Sequence, residues 1–380
     1  MAEAASGFDA LRRICAAALR GTTVAEAPDA AAAARLLALA ERHRVVPLLA
    51  AGTAGAAREP FRRRGLALAQ QTVRLERELA DIAAALACAG VEFLVLKGPA
   101  LARQAYAEPG LRAYDDLDLW VASPDLETAV RTLEAAGYCR KEPLSPRAAA
   151  CARRAGIEVA LVHPEHRRLV ELAHGPAALA PAARAARELL KAAAALDIGG
   201  AAVRAPAPVH ALLYACLHGA HHGWDRLGWV ADVAGCWRRL PPAAQAEVCV
   251  TARRWRVETA LGLGLRLAAD HLGLELAGRA AGLAAAPRAG ALAVRAGLER
   301  IEPDTTRVPM LERLRFEDAV RDSPARRLQA RAGWLFTPTL GDIAAAPLPA
   351  ALYPLYALLR PLRLLRHPWR RDWRRLLRRG

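Results

Sequence analysis

With 380 residues, 54% of them hydrophobic and 24% charged, the chain is long enough for two or three domains and is excluded from the disordered class. Its formal charge of +16 invites an anionic partner, yet Leu359 to Gly380 hold nine arginines against one aspartate, so half of the excess is local. Seven scattered cysteines without Cys-x-x-Cys spacing exclude a disulfide framework, the residues before Arg12 lack a signal-peptide core, and the proline-broken stretch Ile343 to Leu359 is too short to span a membrane; a soluble, cytoplasmic protein without a transmembrane segment is expected.

Residues 1–75 read as a helical lead-in, with apolar residues at helical spacing over Phe8 to Leu19 and Asp29 to His43 and a further start at Pro47. Arg62 to Ala89 continues the pattern as one long helix closed by Gly90. That helix delivers the chain to Val91, inside the segment 76–178 expected to form an α/β core.

Phe93 to Leu96 is an apolar run too short for a buried helix and is stopped at once by Lys97-Gly98-Pro99, so it predicts a buried strand. Pro99 suits a first helical turn, and helix formers follow to Tyr106. Lys97 and Gly98 therefore sit at a strand-to-helix turn, where free N–H groups, a close backbone approach and a compact cation suit a phosphate. After the Glu108-Pro109-Gly110 turn and Arg112 comes Asp116-Leu117-Asp118-Leu119-Trp120-Val121. In a strand Asp116 and Asp118 share one face while Leu117, Leu119 and Val121 enter the core. Two carboxylates about 6–7 Å apart repel unless a cation lies between them, and a divalent metal is the natural neutraliser. An edge strand with one wet face gives the same pattern; the phosphate-type turn and Arg112 beside it tip the reading toward a metal.

Leu-Lys-Gly-x-x-Leu at Leu96 to Leu101, Pro-Gly-x-Arg at Pro109 to Arg112 and Asp-x-Asp-Leu at Asp116 to Leu119 together resemble the uncharacterised bacterial nucleotidyltransferase family, a branch of the DNA polymerase β-like superfamily in which Lys-Gly replaces Gly-Ser. The resemblance implies an α+β fold: a small mixed sheet flanked by helices, preceded by N-terminal helices and followed by a larger helical domain, here 179–358. It also implies two Mg²⁺ ions held by Asp116, Asp118 and a third carboxylate on a neighbouring strand, and attack of an acceptor hydroxyl on the α-phosphate of a nucleoside triphosphate such as ATP, with release of pyrophosphate. Lys97, Gly98 and Arg112 would then contact the triphosphate, and one carboxylate would take the hydroxyl's proton.

Downstream, Ser123-Pro124-Asp125 opens a helix, and Ile157 to Val162 and Leu169 to Leu172 read as strands joined by a turn at His163-Pro164-Glu165-His166. Glu171 on the second strand is the candidate third carboxylate. The family carries a His two places after this acid, whereas here His174 comes three after Glu171. From Pro181 the pattern turns helical: Pro181 to Ala195, an Asp197-Ile198-Gly199-Gly200 break, then Val209 to Gly219, Trp229 to Leu240 and Pro242 to Leu272. His218 and His222 lie four apart on one helical face and, with Trp224, Trp229 and Asp232, form a dense polar and aromatic cluster. Packing against the sheet explains that cluster better than zinc binding does, and the resemblance extends over it, so His174, His218, His222 and Asp232 are candidate cleft residues. Residues 359–380 form a basic tail of Arg, Trp and Leu suited to an anionic surface. The expected activity is an Mg²⁺-dependent nucleotidyltransferase acting on a small-molecule, protein or RNA hydroxyl; the alternative is a catalytically degenerate nucleotide-binding or accessory protein of a biosynthetic cluster.

Overall fold

Helices open the chain, as its periodicity requires: α1 (Ala2–Leu19), α2 (Ala30–Arg42), α3 (Val46–Gly52) and the 30-residue α4 (Glu59–Cys88). The structure is a computed structural model that describes residues 2–25, 29–55, 58–166, 168–299 and 310–366. Asp29 caps α2 by accepting the Ala32 N–H at 2.7 Å. Along α4, Leu75, Leu79, Ile82 and Leu86 turn inward, whereas Leu66 and Val73 of the same apolar pattern face solvent.

Next come β1 (Phe93–Val95), α5 (Pro99–Ala105), β2 (Asp116–Val121), α6 (Leu126–Ala135), β3 (Cys139–Arg140), α7 (Pro146–Arg154), β4 (Val159–Val162) and β5 (Leu169–His174). The strands form one mixed sheet in the order β1-β2-β5-β4-β3, in which β2 and β5 run parallel and every other pair is antiparallel. One sheet face, with Leu117, Leu119, Val121, Val170 and Leu172 fully buried, packs on Leu79, Ile82 and Leu86 of α4 and Leu126, Val130 and Leu133 of α6. The opposite face is therefore free to line a cleft.

The alanine-rich stretch after α8 (Ala183–Lys191) departs from the helical expectation. It folds as a hairpin, β6 (Ala194–Ile198) and β7 (Ala201–Ala205), turned at Gly199 and Gly200, whose φ values of 63° and 86° are left-handed. A Cβ at Gly199 would fall 2.6 Å from the Glu76 carbonyl oxygen, so the turn docks on α4 only without a side chain. Two further antiparallel strands thus continue where the strand pattern was expected to stop.

Helices follow: α9 (Pro208–His221), α10 (Leu227–Arg239), α11 (Pro242–Trp255), α12 (Glu258–Leu272), α13 (Gly278–Ala285), α14 (Pro287–Arg295), α15 (Met310–Val320), α16 (Pro324–Phe336), α17 (Leu340–Ala345) and α18 (Tyr356–Arg366). The single helix expected over Pro242–Leu272 is split at Arg256, which takes a left-handed conformation with φ 57°. The largest core joins Phe8 and Leu49 of the lead-in to Leu94 of β1, Leu101 of α5, and Leu212 and Leu263 of the helical region. Gly235 lets α10 approach α5 so closely that a Cβ there would lie 2.2 Å from the Ala105 carbonyl oxygen. Among the described residues no helix is long and apolar enough to cross a membrane. The basic tail beyond Arg366 lies outside the described residues.

Candidate active site

Strand alternation and register assemble three carboxylates. Asp116 and Asp118 leave β2 on the face opposite its buried leucines, and the parallel register sets Glu171 of β5 directly beside Asp118. One oxygen from each of the three lies within 4.8 Å of the others. Asp118 is only 6% exposed. Its Oδ1 accepts Lys97 Nζ at 2.6 Å, while Oδ2 is buried without a hydrogen-bond partner among the described residues. Burial pushes the Asp118 carboxyl up to about 7; Asp116 and Glu171 push the same way, and the Lys97 ammonium opposes them. Burial also works against the Lys97 charge, but Asp118 and Asp116 outweigh it and hold its pKa above the ordinary lysine value.

A fourth carboxylate, Glu158, precedes β4 and lines the same cleft. Sequence reasoning misses it, although its place two residues before Ala160, the register partner of Glu171, is the signal that would reveal it. Burial, then Asp118, raises its pKa, and burial, then Glu158, raises that of Glu171.

Lys97 and Gly98 occupy the turn between β1 and α5. Gly98 has φ 57° and ψ −119°, and a Cβ there would stand 3.4 Å from the Asp116 carbonyl oxygen. The helix it opens is only seven residues long, so the turn brings Lys97 to the acids more through backbone shape than through a helix dipole.

Arg112 is engaged from an unexpected side. Its Nε and Nη2 donate to Asp232 Oδ1 and Oδ2 at 2.9 and 3.0 Å, and the Tyr106 hydroxyl donates to Oδ1 at 2.8 Å. The remaining Nη1 donates to the Gly98 carbonyl at 3.4 Å, so α10 braces the Lys97-Gly98 turn through Arg112.

Among the other candidates, His174 stands apart. Three residues after Glu171 on a strand, it lies on the opposite face, is buried, and sits 3.1 Å from Ser123 Oγ through Nδ1. Ala173 takes the cleft-facing place beside Glu171. His218 and His222 do line the cleft, with ring centroids 4.6 Å apart and 5.5 and 4.8 Å from that of Trp229. Burial lowers both imidazoles, His218 well below the usual range with Lys97 adding to it and His222 to about 3 with His221 adding, so both rings are neutral. The Arg226 guanidinium lies 5.2 Å from the Trp229 ring centre.

The cleft encloses about 1370 Å³, room enough for a nucleotide, with the acids and Lys97 at its floor, α4 on one side and α9 and α10 on the other. A second group, His163, Glu165 and His166, also brings ligand atoms within 4.8 Å, in the turn between β4 and β5. The His163 and His166 rings stack at 4.4 Å with an interplanar angle of 12°.

The model of a family described as uncharacterised nucleotidyltransferase matches residues 29–273. A solved structure, that of an antigenic nucleotidyltransferase-like protein from Paracoccidioides brasiliensis, is similar over 54% of this chain and 95% of that one, at 14% identity and a TM-score of 0.31, a likeness too slight to bear on the site. No curated protein matches the sequence.

Proposed function

We propose, since the chain belongs to the uncharacterised nucleotidyltransferase family and nucleotidyl transfer is thereby its general activity, that it moves a nucleoside monophosphate from a nucleoside triphosphate such as ATP to an acceptor hydroxyl, releasing pyrophosphate, with Mg²⁺ held by Asp116, Asp118 and Glu171. The observation that carries this reading is the convergence of those three carboxylates within 4.8 Å on the floor of a nucleotide-sized cleft.

The donor set fits the metal. It is all carboxylate oxygen, the choice of a hard cation, and the buried Asp118 Oδ2 has no hydrogen-bond partner among the described residues to satisfy it otherwise. When bound, two such ions neutralise the triphosphate and stabilise charge on the attacking and leaving oxygens. The chain's own residues do the rest. Lys97 leaves its contact with Asp118 to take a phosphate oxygen, Gly98 lets the substrate approach the backbone, and Arg112, locked by Asp232, holds that turn in place. One carboxylate of the set would take the acceptor hydroxyl's proton. The neutral rings of His218, His222 and Trp229 give the nucleobase an apolar wall.

Incubation with labelled nucleoside triphosphates, Mg²⁺ and a cell extract tests the proposal. A labelled product formed with pyrophosphate by the wild type and not by Asp118→Asn is expected; nucleotide left intact under every condition overturns it.

A further inference from the structure

Helix α18 is built inside out. Two of its arginines face the protein: Arg360, 7% exposed, is paired with Asp342 of α17 and donates from Nε to the Trp334 carbonyl at 2.9 Å, and Arg363 Nη1 lies 3.1 Å from Asp342 Oδ1. Tyr356, 1% exposed, donates its hydroxyl to the Ala346 carbonyl at 2.5 Å. The opposite face is leucine. Leu358, Leu362 and Leu365 are 67%, 53% and 70% exposed, and Leu355, on the turn just before the helix, is 42% exposed. At 100° per residue these four fall within a quarter of the helical circumference or little more, one continuous stripe. Single exposed leucines are ordinary on soluble surfaces; a stripe of four at spacings of three and four is a face that something covers.

The sequence C-terminal to α18 selects the occupant. Beyond Arg366 come Trp369 and Trp373 and six arginines against one aspartate. A second protein copy would meet that excess of positive charge with the same excess and be repelled. An anionic bilayer offers complementary charge to the arginines, an interfacial level for tryptophan, and an acyl boundary for the leucines.

We propose that α18 seats its leucine face on a membrane surface rich in anionic headgroups, lying in the interface and not crossing it. The buried Arg360–Asp342 pair fixes the helix on the protein with its leucines outward, so the seat is preformed. The arginines after the helix add attraction that salt screens, while leucine burial supplies the part that salt leaves intact.

Co-sedimentation of the full chain with lipid vesicles tests this independently of any enzymatic activity. Binding to phosphatidylcholine vesicles containing phosphatidylglycerol, and little to phosphatidylcholine alone, is expected. A Leu358→Glu, Leu362→Glu, Leu365→Glu variant, altered only at exposed positions, is expected to keep its helical circular dichroism and lose vesicle affinity by on the order of a hundredfold. Replacing Arg370, Arg371, Arg374 and Arg375 by Ser should weaken binding chiefly at low salt. Four results overturn the proposal: no sedimentation with anionic vesicles, undiminished binding by the leucine variant, a leucine-dependent dimer that ignores vesicles, or binding to RNA with none to lipid.

Discussion

Asp118 must act as a charged ligand in a place that disfavours its charge, and that tension makes the residue testable. With its folded pKa near 7 against an ordinary value of 3.8, the folded protein binds this proton more tightly than the unfolded chain does. Stability from this group is thus greatest in acid and is lost as pH rises through the window between the two values. Asparagine cannot ionise. Asp118→Asn should abolish transfer yet melt no lower than wild type at about pH 8, with a gain on the order of 1 kcal/mol that narrows toward about pH 5. Thermal melts at both pH values check this; a mutant several degrees less stable at both would make Asp118 a structural partner of Lys97 instead. Lys97 itself, if it serves the triphosphate, should cost about 1–3 kcal/mol of nucleotide affinity when changed to Ala. Lys97→Arg should rescue only in part, because a planar fork on a longer stem does not replace a compact ammonium beside the Gly98 turn. Dissociation constants for both variants at one salt concentration decide it, and wild-type affinity in both removes Lys97 from the site.

Between elements, the Arg112–Asp232 pair fastens α10 to the segment that leads into β2, with Asp232 buried and Arg112 largely shielded beside it. Asp232→Ala strands the guanidinium and the Tyr106 hydroxyl, so a loss of about 3–5 kcal/mol is expected in denaturant unfolding, whereas an exposed ion pair would cost a tenth of that. The ring wall from α9 and α10 makes a second expectation: Trp229→Ala should weaken a nucleoside triphosphate by about 1–3 kcal/mol, the range for base stacking, and leave tripolyphosphate unaffected. Equal losses for both ligands would place Trp229 at the phosphates. How far these elements were legible in the sequence depends on how local their signals are. The apolar run Phe93 to Leu96, broken by Lys97-Gly98-Pro99, and the alternation through Asp116 to Val121 are local, and β1, α5 and β2 form where those signals stand. Alanine carries no period, so Ala194 and Ala195 read as helix although a Gly199-Gly200 turn draws them into a hairpin. Nor does any local signal join Arg112 to a carboxylate on α10; that pairing depends on Gly235 letting two helices touch. The displacement of His174 was legible in principle, since three residues along a strand reverse the face, as alternation alone dictates.

Across the whole molecule, the cleft is a seam whose walls come from α4, from the sheet and from α9 and α10, and a ligand filling it stabilises all of them at once. The three carboxylates and Lys97 shape how that ligand assembles. Asp118 already has a cation on one oxygen, so a free Mg²⁺ must compete with Lys97 for a charge the site holds weakly near neutral pH. Mg²⁺ keeps most of its waters and is usually bound by one or two carboxylates together with substrate phosphates. A triphosphate supplies those oxygens and at the same time gives Lys97 a new anion, so metal and nucleotide should bind with positive coupling. Mg²⁺ alone is therefore expected to shift the melting temperature little, nucleotide with chelator little more, and the two together by a few degrees, since ligand at about a hundred times its dissociation constant contributes about 2.7 kcal/mol. Titration calorimetry should find a coupling of about 1–3 kcal/mol, the same from either side. Nucleotide affinity indifferent to chelator would mean that the acids and the triphosphate never share a metal, and would leave Lys97 to join substrate to the cleft floor without one.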